Sequence, residues 1–172
     1  MVIREAKQNR TMHLKALVSQ HQQAFKQKVV QIFAAKHSMS MERVVEEYGD
    51  EIERYIREKY RGIQQAVSEI QAFKRPVVLN IRRDPCGDDV CVICERDQPN
   101  IEELQQLYGD RFVLYEIYDS SPEGALYHII HQGEGEKLLP LTAVIHKGEV
   151  KKYWSGRPVE VGEYREYLDP LV

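Results

Sequence analysis

The spacing of apolar residues changes at Pro76, and this limits the architecture strongly, because a helix needs a repeat near 3.6 and a strand a repeat of 2. Before that proline, Leu14, Leu17, Val18, His21, Phe25, Val29, Ile32 and Phe33 recur at steps of three and four, which predicts an amphipathic helix. Beyond "KHSMS", where Ser38 or Ser40 can accept hydrogen bonds from the free N–H groups of a helix start, the same spacing resumes. Val45, Tyr48, Ile52, Tyr55, Ile56, Ile63, Val67, Ile70 and Phe73 predict a second long helix, with Gly49 and Gly62 as the places where it would break. Residues 42–61 mix charges. Asp50 with Arg54 and Glu53 with Arg57 are opposite charges four apart, as on a solvated helix face. Tyr48, Tyr55 and Tyr60 are read as core and core-edge packing.

After Pro76 the runs shorten. "PVVLNI" is a continuous apolar strand, "PNIEELQQLYG" has helical spacing with a terminal glycine, and "RFVLYEIY" alternates as a strand. "SSPEGALYHIIHQGEG" offers Ser121 as a cap, Pro122 at the first helical position and Gly133 beyond the end. "LTAVIHKGEVKKYW" reads as a hairpin turning at Lys147-Gly148, and "VEVGEYREYLDPL" as a last helix. The first two strands, joined through a helix, should be parallel and the last two antiparallel, so the sheet is mixed and helices cover both faces. The expected class is α/β. Residues 1–75 form a helical extension, a hairpin of two helices, and residues 76–172 a β-α-β-α-β-β-α domain.

A chain of 172 residues that is 42% hydrophobic can bury a core of this kind. Its 24 basic and 27 acidic side chains leave a net charge of −3, without a basic stripe interleaved with aromatics, which argues against a nucleic-acid partner. The N-terminal "MVIREAKQNR" is charged, and no apolar run approaches the roughly 18 residues of a membrane span, so no membrane association and a cytoplasmic location are expected.

All three cysteines lie within "CGDDVCVIC", residues 86–94. Cys91-Val-Ile-Cys94 stands between the first sheet strand and the following helix, where unpaired N–H groups and the helix dipole favour a thiolate at Cys91. Cys94, three residues on, shares its face and is placed to resolve a mixed disulfide formed at Cys91.

A CxxC pair before a helix in this element order resembles the thioredoxin family. Further markers fall in register: Pro99 eight residues after Cys91, Tyr108 near the helix end, Pro140 at the start of the third core strand, the Lys147-Gly148-Glu149 turn, and Gly156 after the fourth strand. The resemblance covers residues 76–172. It implies a thioredoxin-like fold and thiol–disulfide oxidoreductase activity without a cofactor, with Cys91 and Cys94 as the reacting pair. It also implies a cis bond at Pro140, whose backbone positions a protein or small-thiol partner. The chain departs from the family where tryptophan usually precedes the first cysteine and Gly-Pro separates the two; Val92-Ile93 stands there instead, and the family's reduction potential tracks that dipeptide. The buried acid beneath the second cysteine falls at Asn80 and its lysine partner at Tyr115, and an asparagine cannot serve as a general base.

"RRDPCGDDV" is about five residues longer than the family's usual connection and carries Cys86, either an auxiliary redox or regulatory thiol or an idle one on a loop. A metal reading stays open. Cys86, Cys91 and Cys94 have the C-x4-C-x2-C spacing of three [2Fe–2S] ligands, and His128, His131 or His146 could complete a zinc tetrahedron. A third reading makes the fold a non-catalytic interaction module, whose N-terminal helices either pack on the sheet domain of their own chain or present their apolar stripe to a second copy as a homodimer.

Overall fold

The helical spacing of the first half is realised as α1 (Leu14–His37) and α2 (Met41–Ala72) in a computed structural model that describes residues 12–133 and 136–172. The charged start Met1–Arg10 and the glycine at 135 lie outside the described residues. Ser38, in the left-handed region at φ 51°, ends α1 with its N–H on the Ala34 carbonyl. Ser40 opens α2, its hydroxyl accepting from the Arg43 N–H at 3.2 Å. Each serine therefore does a different job. Contrary to expectation, α2 runs unbroken through Gly49 and Gly62. A helical glycine costs about 0.5–1 kcal/mol, yet at Gly62 an added Cβ would stand 3.2 Å from the Pro122 Cβ, so the missing side chain lets a neighbouring turn approach.

Glu53 reaches across to Lys26 of α1, and the i,i+4 ion pair seen on α2 is Arg43 with Glu47. Of the three tyrosines, only Tyr60 is fully buried, its hydroxyl 2.7 Å from His21 Nδ1. Tyr48 is half-buried against Phe33 and His37, and Tyr55 is exposed.

The sheet strands are β2 (Val77–Arg82), β3 (Val113–Tyr118), β4 (Leu141–His146) and β5 (Glu149–Ser155), joined by α3 (Val92–Tyr108), α4 (Leu126–Ile130) and α5 (Val161–Leu168). β2 and β3 are parallel, β2 with β4 and β4 with β5 antiparallel. The β4–β5 turn falls at Lys147-Gly148 as expected, both at positive φ, the conformation such a two-residue turn needs. Pro122 begins a 3-10 turn, Pro122–Ala125, so α4 keeps only five residues; Ser121 does not cap it and donates instead to the Tyr118 carbonyl. One strand has no sequence signal. Met12–His13, β1, pairs with Val150 and Glu149 and gives the order β1-β5-β4-β2-β3. Two residues are too few for a periodicity to register.

Alternation along the strands divides the core in two. Val77, Leu79, Ile81, Leu141, Ala143 and Ile145 join Leu14, Val18, Ile56, Tyr60 and Ile63 of the helical pair and Leu126 and Ile129 of α4. Val78 and Val144, on the opposite side, join Ile101 and Leu104 of α3, Tyr164 and Leu168 of α5, and Trp154. The order of β2 to β5, with helices on both faces, is the thioredoxin-like mixed α/β arrangement, preceded by a helical N-terminal region.

Candidate functional site

Cys91 is the N-cap residue of α3, and its Sγ accepts the Cys94 N–H at 3.2 Å. The cap is a cysteine. The helix thus directs a free donor at sulfur, where the dipole also favours negative charge. Cys91 and Cys94 are joined by a disulfide, with their Cα atoms 5.3 Å apart. Cys91 is half-exposed, whereas Cys94 is 4% exposed and belongs to the inward stripe of α3 with Asp97, Ile101, Leu104 and Tyr108.

The longer connection before the pair is pinned at its start. Arg83 Nε lies 3.0 Å from Asp119 Oδ2, the Asp84 N–H donates to Asp119 Oδ1 at 3.2 Å, and Asp84 Oδ1 accepts the Cys86 N–H at 2.9 Å. Cys86 is exposed and unbonded at the turn that follows. A small cavity of about 70 Å³ adjoins the disulfide, with Arg82, Asp84, Val90, Cys91, Cys94 and Glu95 among its lining residues. Arg83 also borders a wider cleft of about 460 Å³ with Asp119, Tyr127, His128, Lys137 and Leu139.

Pro140 is buried and follows a cis Leu139–Pro140 bond. Its neighbour Leu141 is opposite Ile81, so Pro140 lies at the end of the sheet where β2 enters the loop to Cys91. Gly156, at φ 70°, donates its N–H to the Pro140 carbonyl at 2.9 Å, and a Cβ there would come within 2.8 Å of the Leu138 Cβ. These residues therefore share one end of the sheet with the cysteines.

The candidate metal partners are dispersed. His146 pairs with Glu149 at the far end of β4, and His131 stacks on Tyr127 with ring centroids 5.6 Å apart. His128, next to Lys137 Nζ at 3.2 Å, is held below the ordinary imidazole range by burial and then by that ammonium. No grouping of three His, Cys, Asp or Glu side chains suited to a metal ion occurs among the described residues.

Asn80 is 2% exposed beneath this site, with Oδ1 unpartnered. The register corrects the assignment of its neighbour: Asn80 is opposite Glu116, while Tyr115 is opposite Leu79 and points to the other face, donating to Glu69 Oε2 at 2.6 Å. A one-residue step along a strand changes the face completely.

Sequence reasoning missed the carboxylate on the cysteine side of the sheet. Asp97 is 1% exposed; its Oδ1 accepts from the Val159 N–H at 2.8 Å and from Asn100 at 3.3 Å, and its Oδ2 has no partner. Burial first raises this carboxyl above the ordinary carboxylate range, against the opposing pull of those donors and of Arg82 and Arg157. A signal was present. Asp97 interrupts an otherwise apolar three-and-four spacing from Cys94 through Ile101 and Leu104 to Tyr108.

Among the described residues no helix is long and apolar enough to cross a membrane. No protein-family model matches this chain, and no curated protein matches it. Among solved structures it is similar to oxidised thioredoxin O2 of Arabidopsis thaliana, at 17% identity over 64% of this chain and 87% of that one, with a TM-score of 0.47. The thioredoxin-like assignment of the fold rests on the chain's own strand order and on the mixed sheet with helices on both faces.

Proposed function

We propose that the protein exchanges disulfides with a protein or small-thiol partner in a reducing, cytoplasmic setting. One observation carries the reading: the CxxC sulfurs are within bonding reach at a helix N-terminus, one half-exposed and the other buried. The accessible Cys91 thiolate attacks a partner disulfide, RS–SR, forming Cys91–S–SR and releasing RS⁻. Cys94 then loses its proton and attacks Cys91 Sγ, closing the intramolecular disulfide and releasing the second RS⁻. Two thiols are oxidised and one disulfide is reduced, so no organic cofactor is required. The extended backbone next to Pro140 is suited to pair with a partner segment as an added strand.

An anaerobic redox titration with differential alkylation and mass spectrometry tests this. Cys91 and Cys94 are expected to oxidise together as a reversible two-electron couple, with Cys86 remaining alkylatable. Thiols that resist alkylation until a chelator or acid is added would identify metal ligands and end the exchange reading.

A second reading draws on the outer face of the helical pair, where Ile32, Val45 and Tyr55 are exposed and Val29, Ile32, Phe33, Ile52 and Tyr55 line a groove. There the helices join two copies of the chain. Sedimentation velocity should then show a dimer that Ile32→Glu dissociates, and a monomer at every concentration would end it.

A further inference from the structure

One edge of the sheet is closed and the other is open. Met12–His13 pairs along β5, and the order β1-β5-β4-β2-β3 leaves β3 outermost on the far side, where no strand of the described residues lies against it. The Val113 N–H donates to the Pro76 carbonyl and the Asp119 N–H to the Arg82 carbonyl, so in this parallel pair the odd-numbered residues bond to β2. Leu114, Glu116 and Tyr118 therefore turn their N–H groups outward. Leu114 and Glu116 turn out their carbonyls as well, whereas the Tyr118 carbonyl accepts from Ser121.

Natural sheets blunt such an edge with a very short strand, a proline, a lysine or a bulge. β3 has none of these: it is six residues, Val-Leu-Tyr-Glu-Ile-Tyr, paired with β2 in unbroken register. Glu116 and Tyr118 are exposed along it. A run of high β propensity with a single charge pairs readily with any extended chain it meets, so the working molecule needs a cover for it.

We infer that β3 pairs antiparallel with β3 of a second copy about a two-fold axis at Tyr115, joining the two sheets into one. The strand matches itself. Residues with outward N–H groups must face one another, and this restricts where the axis can stand. An axis at Glu116 sets two carboxylates directly opposite. Axes at Leu114 and at Ile117 shift the pairing off the strand, into the 3-10 turn Gly109–Arg111 before it or the loop after it. With the axis at Tyr115 the strand is used throughout: Leu114 faces Glu116 and exchanges both backbone bonds with it, Val113 faces Ile117, and the two tyrosines form a cross-strand aromatic pair. The same axis brings the exposed Arg111 end of one strand against the exposed Asp119 end of the other. Arg111 donates to the Leu107 and Tyr108 carbonyls of its own chain and has no carboxylate partner among the described residues.

Both β2 and β3 run toward the end of the sheet that carries the cysteines. Antiparallel joining therefore sends the two disulfides to opposite ends of the joint sheet and covers neither. The pairing stands independently of the exchange reading.

The test uses the full chain with Ile32→Glu as common background, which keeps the helical groove from joining copies. This protein is expected to sediment as a dimer. Glu116→Pro should convert it to a monomer with the circular dichroism of the parent, because the N–H that proline removes is not one that β2 uses and edge strands accept proline there. Glu116→Ala, which keeps the backbone donor, should remain a dimer. Hydrogen exchange followed amide by amide by NMR needs no change in the strand. In the dimer the Leu114 and Glu116 amides should exchange as slowly as those of Tyr115 and Ile117, and the Leu114 amide should become fast in Glu116→Pro. A monomeric Ile32→Glu protein overturns the proposal, as does a dimer that survives Glu116→Pro or one whose Leu114 and Glu116 amides exchange freely. Slow exchange at those two amides in a monomer overturns it too, the cover then coming from the chain itself.

Discussion

Reduced Cys91→Ser protein is expected to lose disulfide exchange entirely, falling to the background of an isolated thiol, while Cys94→Ser keeps the first attack and stalls. The asymmetry follows from burial and from the cap. Cys91 is half-exposed and receives the free N–H of Cys94, which stabilises a sulfur anion, whereas Cys94 is 4% exposed and cannot be approached by a bulky disulfide. With 5,5′-dithiobis(2-nitrobenzoate) as the partner disulfide and Cys86→Ser as common background, the Cys94→Ser protein should release one equivalent and retain the aryl thiol as a stable adduct on Cys91, visible by mass spectrometry. Cys91→Ser should release none at the parent's rate. The reverse pattern, with Cys94 forming the adduct, would reassign the two thiols, and parent-like exchange by Cys91→Ser would remove the activity from this pair.

Excising residues 1–75 is expected to leave residues 76–172 unable to fold. Six strand residues, Val77, Leu79, Ile81, Leu141, Ala143 and Ile145, pack in one cluster with the helical pair, together with Ile117 and Val150. Uncovering a large apolar side chain forfeits about 1.5–3 kcal/mol, so the seven of these larger than alanine together are worth about as much as a domain's whole net stability of about 5–15 kcal/mol. α4, with five residues, is too short to cover the face alone. The truncated chain should lack a cooperative thermal transition by circular dichroism and should bind an apolar dye. A soluble fragment with a sharp transition would instead show that the sheet domain is autonomous.

Legibility in the sequence followed the length over which a physical pattern could repeat. α1 and α2 each repeat their apolar spacing over several turns, and β2 to β5 each carry an apolar run or alternation bounded by turn residues, so their type and order could be read directly. Proline 122 was read correctly as a start, but the hydrogen-bond pattern tightened into a 3-10 turn that sequence spacing does not distinguish from the first turn of an α-helix. Gly49 and Gly62 misled because propensity is a weak term beside tertiary packing, which carries α2 through both. At the site, motif and register singled out Cys91, Cys94 and Pro140, and the fold places all three at one end of the sheet. Tyr115 was misplaced by an offset of one residue, and Asp97 was overlooked because a single acid within an apolar stripe reads as ordinary helix surface until the stripe is known to face inward.

Trp154, the chain's single tryptophan, stands 7% exposed against Tyr164 and Tyr167, in the layer that also holds Asp97. The protein thus carries its own optical label for one half of its core. Far-ultraviolet ellipticity is governed mainly by the long helices α1 and α2 on the opposite side, whereas indole emission responds to the α3–α5 layer alone. Melting curves recorded by the two signals on unmodified protein therefore measure whether the halves come apart together, which is the test of two-state cooperativity.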